Sequence, residues 1–173
     1  MSIITAVVDT APLLSALILD YARRNTPARS ESILSRSQMA DYLKHDQKRQ
    51  TAFMRFFDGI PVILTTSHVI GELQGLQTLK DEYQRGFWLN AMRWLSTKRL
   101  DERLVKLLDL HQEETWRPAV CEVGPPDAGL VTLARQVGCF SEEKPLLTDD
   151  RRTLYPLARR QQVYCQIVED LVL

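Results

Sequence analysis

The chain has 173 residues, 45% of them hydrophobic and 25% charged, the make-up of one globular domain large enough to bury a real core. Its 22 basic and 22 acidic residues cancel, which excludes the global positive field that draws a protein to nucleic acid or to a membrane surface, so any RNA contact must use a local patch. The three cysteines, Cys121, Cys139 and Cys165, are widely separated, form no CxxC pair and have no zinc spacing, and they read as reduced and mostly buried.

The first element is expected over Ile3 to Val8, a short run rich in β-branched residues that suits a central strand covered on both faces. Asp9 stands at its exit. The apolar start does not read as a signal peptide, because it lacks a basic beginning, carries Asp9 in its middle and has Pro12 soon after. Pro12 suits the first turn of a helix, continued at helical spacing by Leu13, Leu14, Leu17, Ile18 and Tyr21. Arg23 to Ser37 turns basic and polar and reads as a loop, with a break at Asn25-Thr26-Pro27. Gln38 to Phe57 reads as helix, in one or two pieces, since Lys44 to Thr51 interrupts the apolar stripe. Gly59 ends it, and Pro61 to Thr65 is a second strand.

Ser67 is the expected N-cap of a helix whose stripe is Val69, Ile70, Leu73, Leu76 and Leu79. Glu72 lies three residues from Val69 and four from Leu76, so it shares part of the packed face. Phe87, Trp88, Ala91, Met92, Trp94 and Leu95 mark a further helix, its aromatic and Met positions read as core or, in part, as an interface between copies. Leu100 to Leu110 is ambiguous, with helical spacing at Leu104, Leu107 and Leu108 and a short strand open at its start. Gly124-Pro125-Pro126 stops the preceding segment, and Pro126 can open the next helix with Asp127 in its first turn. Gly138 closes that helix. Pro145 to Thr148 is a strand ending at Asp149-Asp150, Arg151 to Arg160 a helix, and Val163 to Val168 a last strand. Strands alternating with helices imply an α/β fold with a doubly wound, mainly parallel central sheet and helices on both faces. No uncharged run approaches the roughly 20 residues needed to cross a bilayer, so a soluble, cytoplasmic, single-domain protein is expected.

Four carboxylates stand out by position. Asp9 and Asp150 follow strands, and Glu72 and Asp127 lie near the starts of helices. Taken singly, each also fits a helix cap or a dipole partner. Together they share one edge, because a parallel sheet sends all its strand exits, and the helix starts that follow, to the same side. Such a cluster supplies the hard oxygen ligands that Mg²⁺ or Mn²⁺ takes. Histidine sites find no support, since His45, His68 and His111 share no metal spacing. There is no GxSxG elbow, no phosphate-cradling glycine loop, and Ala11 stands where a haloacid-dehalogenase-like phosphatase needs its second aspartate.

In order and flanks these residues resemble the PIN-domain nucleases. The matching segments are Val8-Asp9-Thr10, Glu72 in HVIGELQGL, Asp127 in GPPDAGLVTLARQVG, and Thr148-Asp149-Asp150 as a T-x-D motif. The resemblance spans about Ile3 to Val168 and is specific chiefly at its two ends. It implies a PIN-like fold over residues 1–173 and Mg²⁺- or Mn²⁺-dependent hydrolysis of single-stranded RNA. Asp9, Glu72, Asp127 and Asp150 would be the catalytic and metal-holding acids, with Thr148 and Thr10 in support. Asp149 would be the variable middle residue, read as a helix-start residue. The 63 positions between Asp9 and Glu72 place a basic and polar insertion around residues 23–46. Arg151 and Arg152, then Arg23 and Arg24, are the candidate RNA-phosphate contacts. A VapC-type toxin held by a small antitoxin, with a homodimer as a further expectation, is the commonest bacterial protein of this pattern. The alternatives are a PIN-like RNA-processing nuclease without antitoxin and a non-catalytic scaffold that binds RNA or protein.

Overall fold

The computed structural model describes residues 3–25, 33–34, 36–75, 86–87, 89–91, 93–94, 99–100 and 123–172. Its strands are β1 (Thr5–Val8), β2 (Val62–Leu64), β3 (Arg99–Leu100), β4 (Leu146–Thr148) and β5 (Cys165–Ile167). They form one sheet in the order β3-β2-β1-β4-β5, with every pairing parallel. In β1 successive side chains point to opposite faces, yet Ala6, Val7 and Val8 are all fully buried. Both faces of the sheet are therefore covered, as the unbroken apolar run requires.

The covering helices are α1 (Thr10–Arg24), α2 (Gln38–Leu43), α3 (Gln47–Asp58), α4 (Ser67–Gly75), α5 (Pro125–Gln136), α6 (Leu154–Arg160) and α7 (Val168–Val172). α1 packs on β4 and carries α2 and α3; α5 packs on β1 and β4 and carries α6. The break between α2 and α3 falls at Asp46, whose carboxylate caps α3 by accepting from the amide of Arg49 at 3.0 Å. Phe53 and Phe57 of α3 are fully buried, with ring centroids 4.9 Å apart.

Several boundaries differ from expectation. α1 runs to Arg24, so the first residues of the expected loop are its last turn, where two arginines suit the negative helix end. Within the expected insertion, Ala40 and Leu43 are fully buried in the main core. Thr66 and not Ser67 takes the capping position of α4, its hydroxyl accepting from the amide of Val69 at 3.5 Å. Pro125 and Pro126 both lie in the first turn of α5, and Gly138 follows its C-cap with φ 77°. α6 begins only at Leu154, after a turn over residues 151–153. The last strand ends at Ile167 and passes directly into α7.

Gly86, Phe87, Leu89 to Ala91, Arg93 and Trp94 are helical as expected, with Phe87, Ala91 and Trp94 buried. Arg99 and Leu100 form the short strand left open at the start of the ambiguous segment. Leu76, Leu79, Trp88, Met92, Leu95, Leu104, Leu107, Leu108, Cys121 and the centre of the 23–37 loop lie outside the described residues. Among the described residues no helix is long and apolar enough to cross a membrane.

Candidate functional site: an acidic sheet edge at the switch point

The strand order changes direction between β1 and β4. In open parallel sheets the crevice outside the carboxyl ends of two such strands is where ligands bind. Asp9 is the first residue beyond β1, and its amide donates to the carbonyl of Leu147 at 3.0 Å, extending the β1–β4 ladder by one step. The aspartate is thereby fixed at the crevice. One carboxylate oxygen caps α1 by accepting from the amide of Thr10 at 2.6 Å. The other accepts from the Thr148 hydroxyl at 2.7 Å.

Thr148 ends β4 and is fully buried. Besides donating to Asp9, its hydroxyl accepts from the amide of Asp150 at 3.0 Å. On the other side of Asp9, the Thr10 hydroxyl donates to Glu72. A line of partners thus runs Glu72, Thr10, Asp9, Thr148, Asp150 across the edge. The two threonines expected in support are its joints. Glu72 is exposed yet directed at this edge by Thr10.

Asp127 enters from α5. Gly124 precedes that helix with φ 90° and ψ 169°, a conformation essentially restricted to glycine, and the two prolines then fix the first turn. The half-buried Asp127 carboxylate makes no hydrogen bond among the described residues. Its pKa is pushed up to about 6, by burial first and then by the negative charges of Asp9, Asp150 and Glu72. Burial also raises Asp9, against the lowering by Thr148 and Thr10, with Glu72 and Asp150 adding to the rise. Asp9 and Asp127 are therefore each within electrostatic reach of Glu72 and Asp150, and Asp127 of Asp9.

Asp149 and Asp150 play roles opposite to one part of the expectation. Burial alone would raise Asp150, but the amides of Thr153, Arg152 and Leu154 outweigh it and hold its pKa below the ordinary value. Those amides lie at 2.9, 2.8 and 3.2 Å. Asp150 is thus the residue that organises the turn into α6. Asp149, read as the helix-start residue, instead accepts from the amide of Glu169 at the start of α7, at 3.2 Å. Its other oxygen is buried with no partner among the described residues, and burial pushes its pKa up to about 6.

The donors at this edge are all oxygen, a set suited to Mg²⁺ or Mn²⁺ and unsuited to softer metals. Among the described residues no three acidic, His or Cys side chains close into a ready-made cage. Both oxygens of Asp9 and both of Asp150 already accept protein hydrogen bonds, so each has only part of its lone-pair capacity left. An ion at this edge would have to be held partly through water by these residues.

The expected RNA contacts fare unevenly. Arg23 pairs with Asp20 and Asp58, and Arg24 with Asp20. Arg151 is claimed by Glu169 and Asp170 of α7. Those three guanidiniums are engaged by carboxylates of the chain itself. Arg152 is exposed and has no side-chain partner among the described residues. Cys139 and Cys165 are free and buried, and burial pushes both thiols up to about 12, so neither is a nucleophile at neutral pH.

Sequence reasoning did not single out the orphaned oxygen of Asp149 or the part played by α7. The signal available was the pair of adjacent aspartates itself. Two neighbouring carboxylates at a strand exit diverge, and only one can serve the turn that follows. No protein-family model, no curated protein and no solved structure matches the chain.

Proposed function

We propose that this chain is a PIN-like, Mg²⁺- or Mn²⁺-dependent endoribonuclease that hydrolyses phosphodiester bonds of single-stranded RNA. One observation carries the reading. Four carboxylates from four separate segments, Asp9, Glu72, Asp127 and Asp150, gather at the switch-point edge of a parallel sheet, where burial first and then the charges of the other three lift Asp127 to about 6. Mutual repulsion of this kind is a standing cost to the fold, and a divalent cation relieves it.

When bound, the ion supplies activation of water and neutralisation of the charge that grows on the phosphate. Asp127 and Glu72 are the open donors, and Asp9 offers its remaining lone pairs. Thr148 and the Thr10 amide hold the Asp9 carboxylate in one orientation, so little rearrangement is needed on binding. Asp150 contributes its charge from a position locked by three amides. Thr10 sets the direction of Glu72, the acid nearest solvent and the one placed to orient water. Arg152 meets the RNA phosphates. No covalent enzyme intermediate is involved.

In the cell the activity fits a toxin restrained by a small antitoxin, working as a homodimer in the cytoplasm. Finding a short open reading frame that overlaps the start of this one would favour that role over RNA processing without antitoxin. A second reading, a scaffold that binds RNA or protein without cutting, is favoured by the engagement of Asp150 in capping and of three arginines in ion pairs. One assay decides. Purified protein is incubated with single-stranded RNA and Mn²⁺ or Mg²⁺ beside Asp9→Asn and Asp127→Asn. The nuclease reading expects cleavage that needs the ion and is lost in both variants. Equal products from all three proteins, or none from any, would sink it.

A further inference from the structure

Helix α7 lies against the residues that leave β4, and its backbone is anchored there. Val168 is fully buried, the amide of Glu169 donates to the Oδ1 oxygen of Asp149 at 3.2 Å, and the helix packs on β5 and α3. Its acidic side chains stay at the surface. Glu169 and Asp170 converge on Arg151, 18 and 19 positions earlier in the chain. Arg151 directly follows Asp150, about 3.8 Å away from Cα to Cα, so its guanidinium is the cation of the turn beside the candidate site.

The pair with Asp170 is a two-point fork. Nη1 of Arg151 donates to Oδ2 at 3.1 Å and Nη2 to Oδ1 at 2.5 Å, while Nη2 also donates to Oε2 of Glu169 at 3.2 Å. A guanidinium meets two oxygens of a phosphate through the same planar fork. A phosphate and the Asp170 carboxylate therefore compete for one set of donors. Charge favours the present occupant, since one guanidinium faces two carboxylates, and the hydrogen bonds from Arg151 hold Asp170 below the usual carboxylate range. Exposure makes the exchange reversible. The side chains of Arg151, Glu169 and Asp170 are 50%, 46% and 59% exposed, and exposed ion pairs are weak enough for water or another anion to replace.

We infer that α7 is an autoinhibitory latch on RNA binding, in which Glu169 and Asp170 occupy the Arg151 guanidinium in place of an RNA phosphate. With the latch closed, the turn after Asp150 offers RNA only Arg152; with it open, it offers both arginines. The inference rests on the proposed function only in taking single-stranded RNA as the ligand of this edge, and it requires no cleavage. Because Val168 and the Glu169 amide do the anchoring, the two side-chain charges can be removed while α7 stays docked.

The test is fluorescence anisotropy of a short labelled oligouridylate with the full chain carrying Asp9→Asn, in Mg²⁺, over a salt series. Adding Glu169→Gln and Asp170→Asn together should tighten binding about threefold or more at about 50 mM salt. It should also steepen the slope of log affinity against log salt by about 0.7, the value of one more phosphate contact on a single strand. Arg151→Gln should leave the slope of the parent unchanged and return that of the doubly substituted chain to the parent value. That dependence separates release of Arg151 from the loss of two negative charges as such, which acts whether or not Arg151 is present. No gain on removing the charges, or a gain in slope that survives Arg151→Gln, would overturn the latch. So would a fall in Tm of more than about 4 °C without tighter binding, which assigns the pairs to bracing the turn. Cleavage by the native chain with no gain from the double substitution keeps the nuclease and removes the latch. A gain cancelled by Arg151→Gln in a chain that never cleaves RNA does the reverse.

Discussion

Replacing Asp127 by Asn should stabilise the metal-free fold at neutral pH. The carboxylate rises from 3.8 to about 6 on folding, and a rise of about two units corresponds to ~3 kcal/mol at about 1.36 kcal/mol per unit. Asp127 is only half buried, so solvent screening brings the realistic figure to about 1–1.5 kcal/mol. Against this, the substitution removes an acid from the first turn of α5, where the helix dipole favours negative charge by about 0.5 kcal/mol. The net gain is about 0.5–1 kcal/mol, a rise in Tm of about 1–3 °C for a chain of this size. The sign with pH follows from the direction of the shift. A carboxylate raised on folding costs nothing below its unfolded value of 3.8, and its cost grows as pH climbs from there to about 6. The advantage of Asp127→Asn should therefore be full at pH 7.5 and nearly gone at pH 4. Thermal unfolding of both proteins at the two pH values, with and without Mn²⁺, measures it. Added Mn²⁺ should raise the Tm of the native protein more than that of the variant. A variant less stable than the native chain at pH 7.5, or one with the same difference at pH 4, would show that the cost of a buried carboxylate among like charges does not govern this position.

Asp20 is fully buried and accepts from Arg23, Arg24 and Asn90 at 2.7–3.1 Å. Asp20→Ala should cost about 2–3 kcal/mol in urea unfolding, and a loss under about 0.5 kcal/mol would deny the cluster its role. Gly124→Ala should cost about 1–3 kcal/mol through its backbone conformation alone, since an added Cβ meets no atom within 4 Å; an unchanged denaturation midpoint would refute that. For RNA binding, Arg152→Ala should lower the slope of log affinity against log salt by about 1. Arg151→Ala should leave that slope alone, because its guanidinium is already claimed by α7; equal slopes in both variants would refute the assignment.

The legible parts of the fold were those specified by local chemistry. The β-branched run of β1, the Gly59 stop, the split of α2 from α3 and the Gly124-Pro125-Pro126 entry to α5 each depend on neighbours a few residues away. The convergence of Asp9 and Asp150 was legible for a different reason, since parallel pairing of β1 with β4 puts both strand exits on one edge. What depended on distant partners was not legible. Arg151 meets residues 18 and 19 positions later, and nothing in Arg151-Arg152 marks which of the two α7 would take.

The Asp149-Asp150 pair shows the limit most sharply. Both residues are acidic, both follow β4, and composition cannot rank them. The ranking comes from the turn over residues 151–153, which bends back so that three consecutive amides face Asp150. Those amides do for Asp150 what a cation would do for the other acids, which is why its pKa falls while those of Asp9 and Asp127 rise. The unsatisfied charge of the edge is therefore concentrated on the β1 and α5 side. On the proposed reading a divalent ion would gain most nearest Asp127 and Asp9, where Asp150 adds a fixed, already stabilised negative charge.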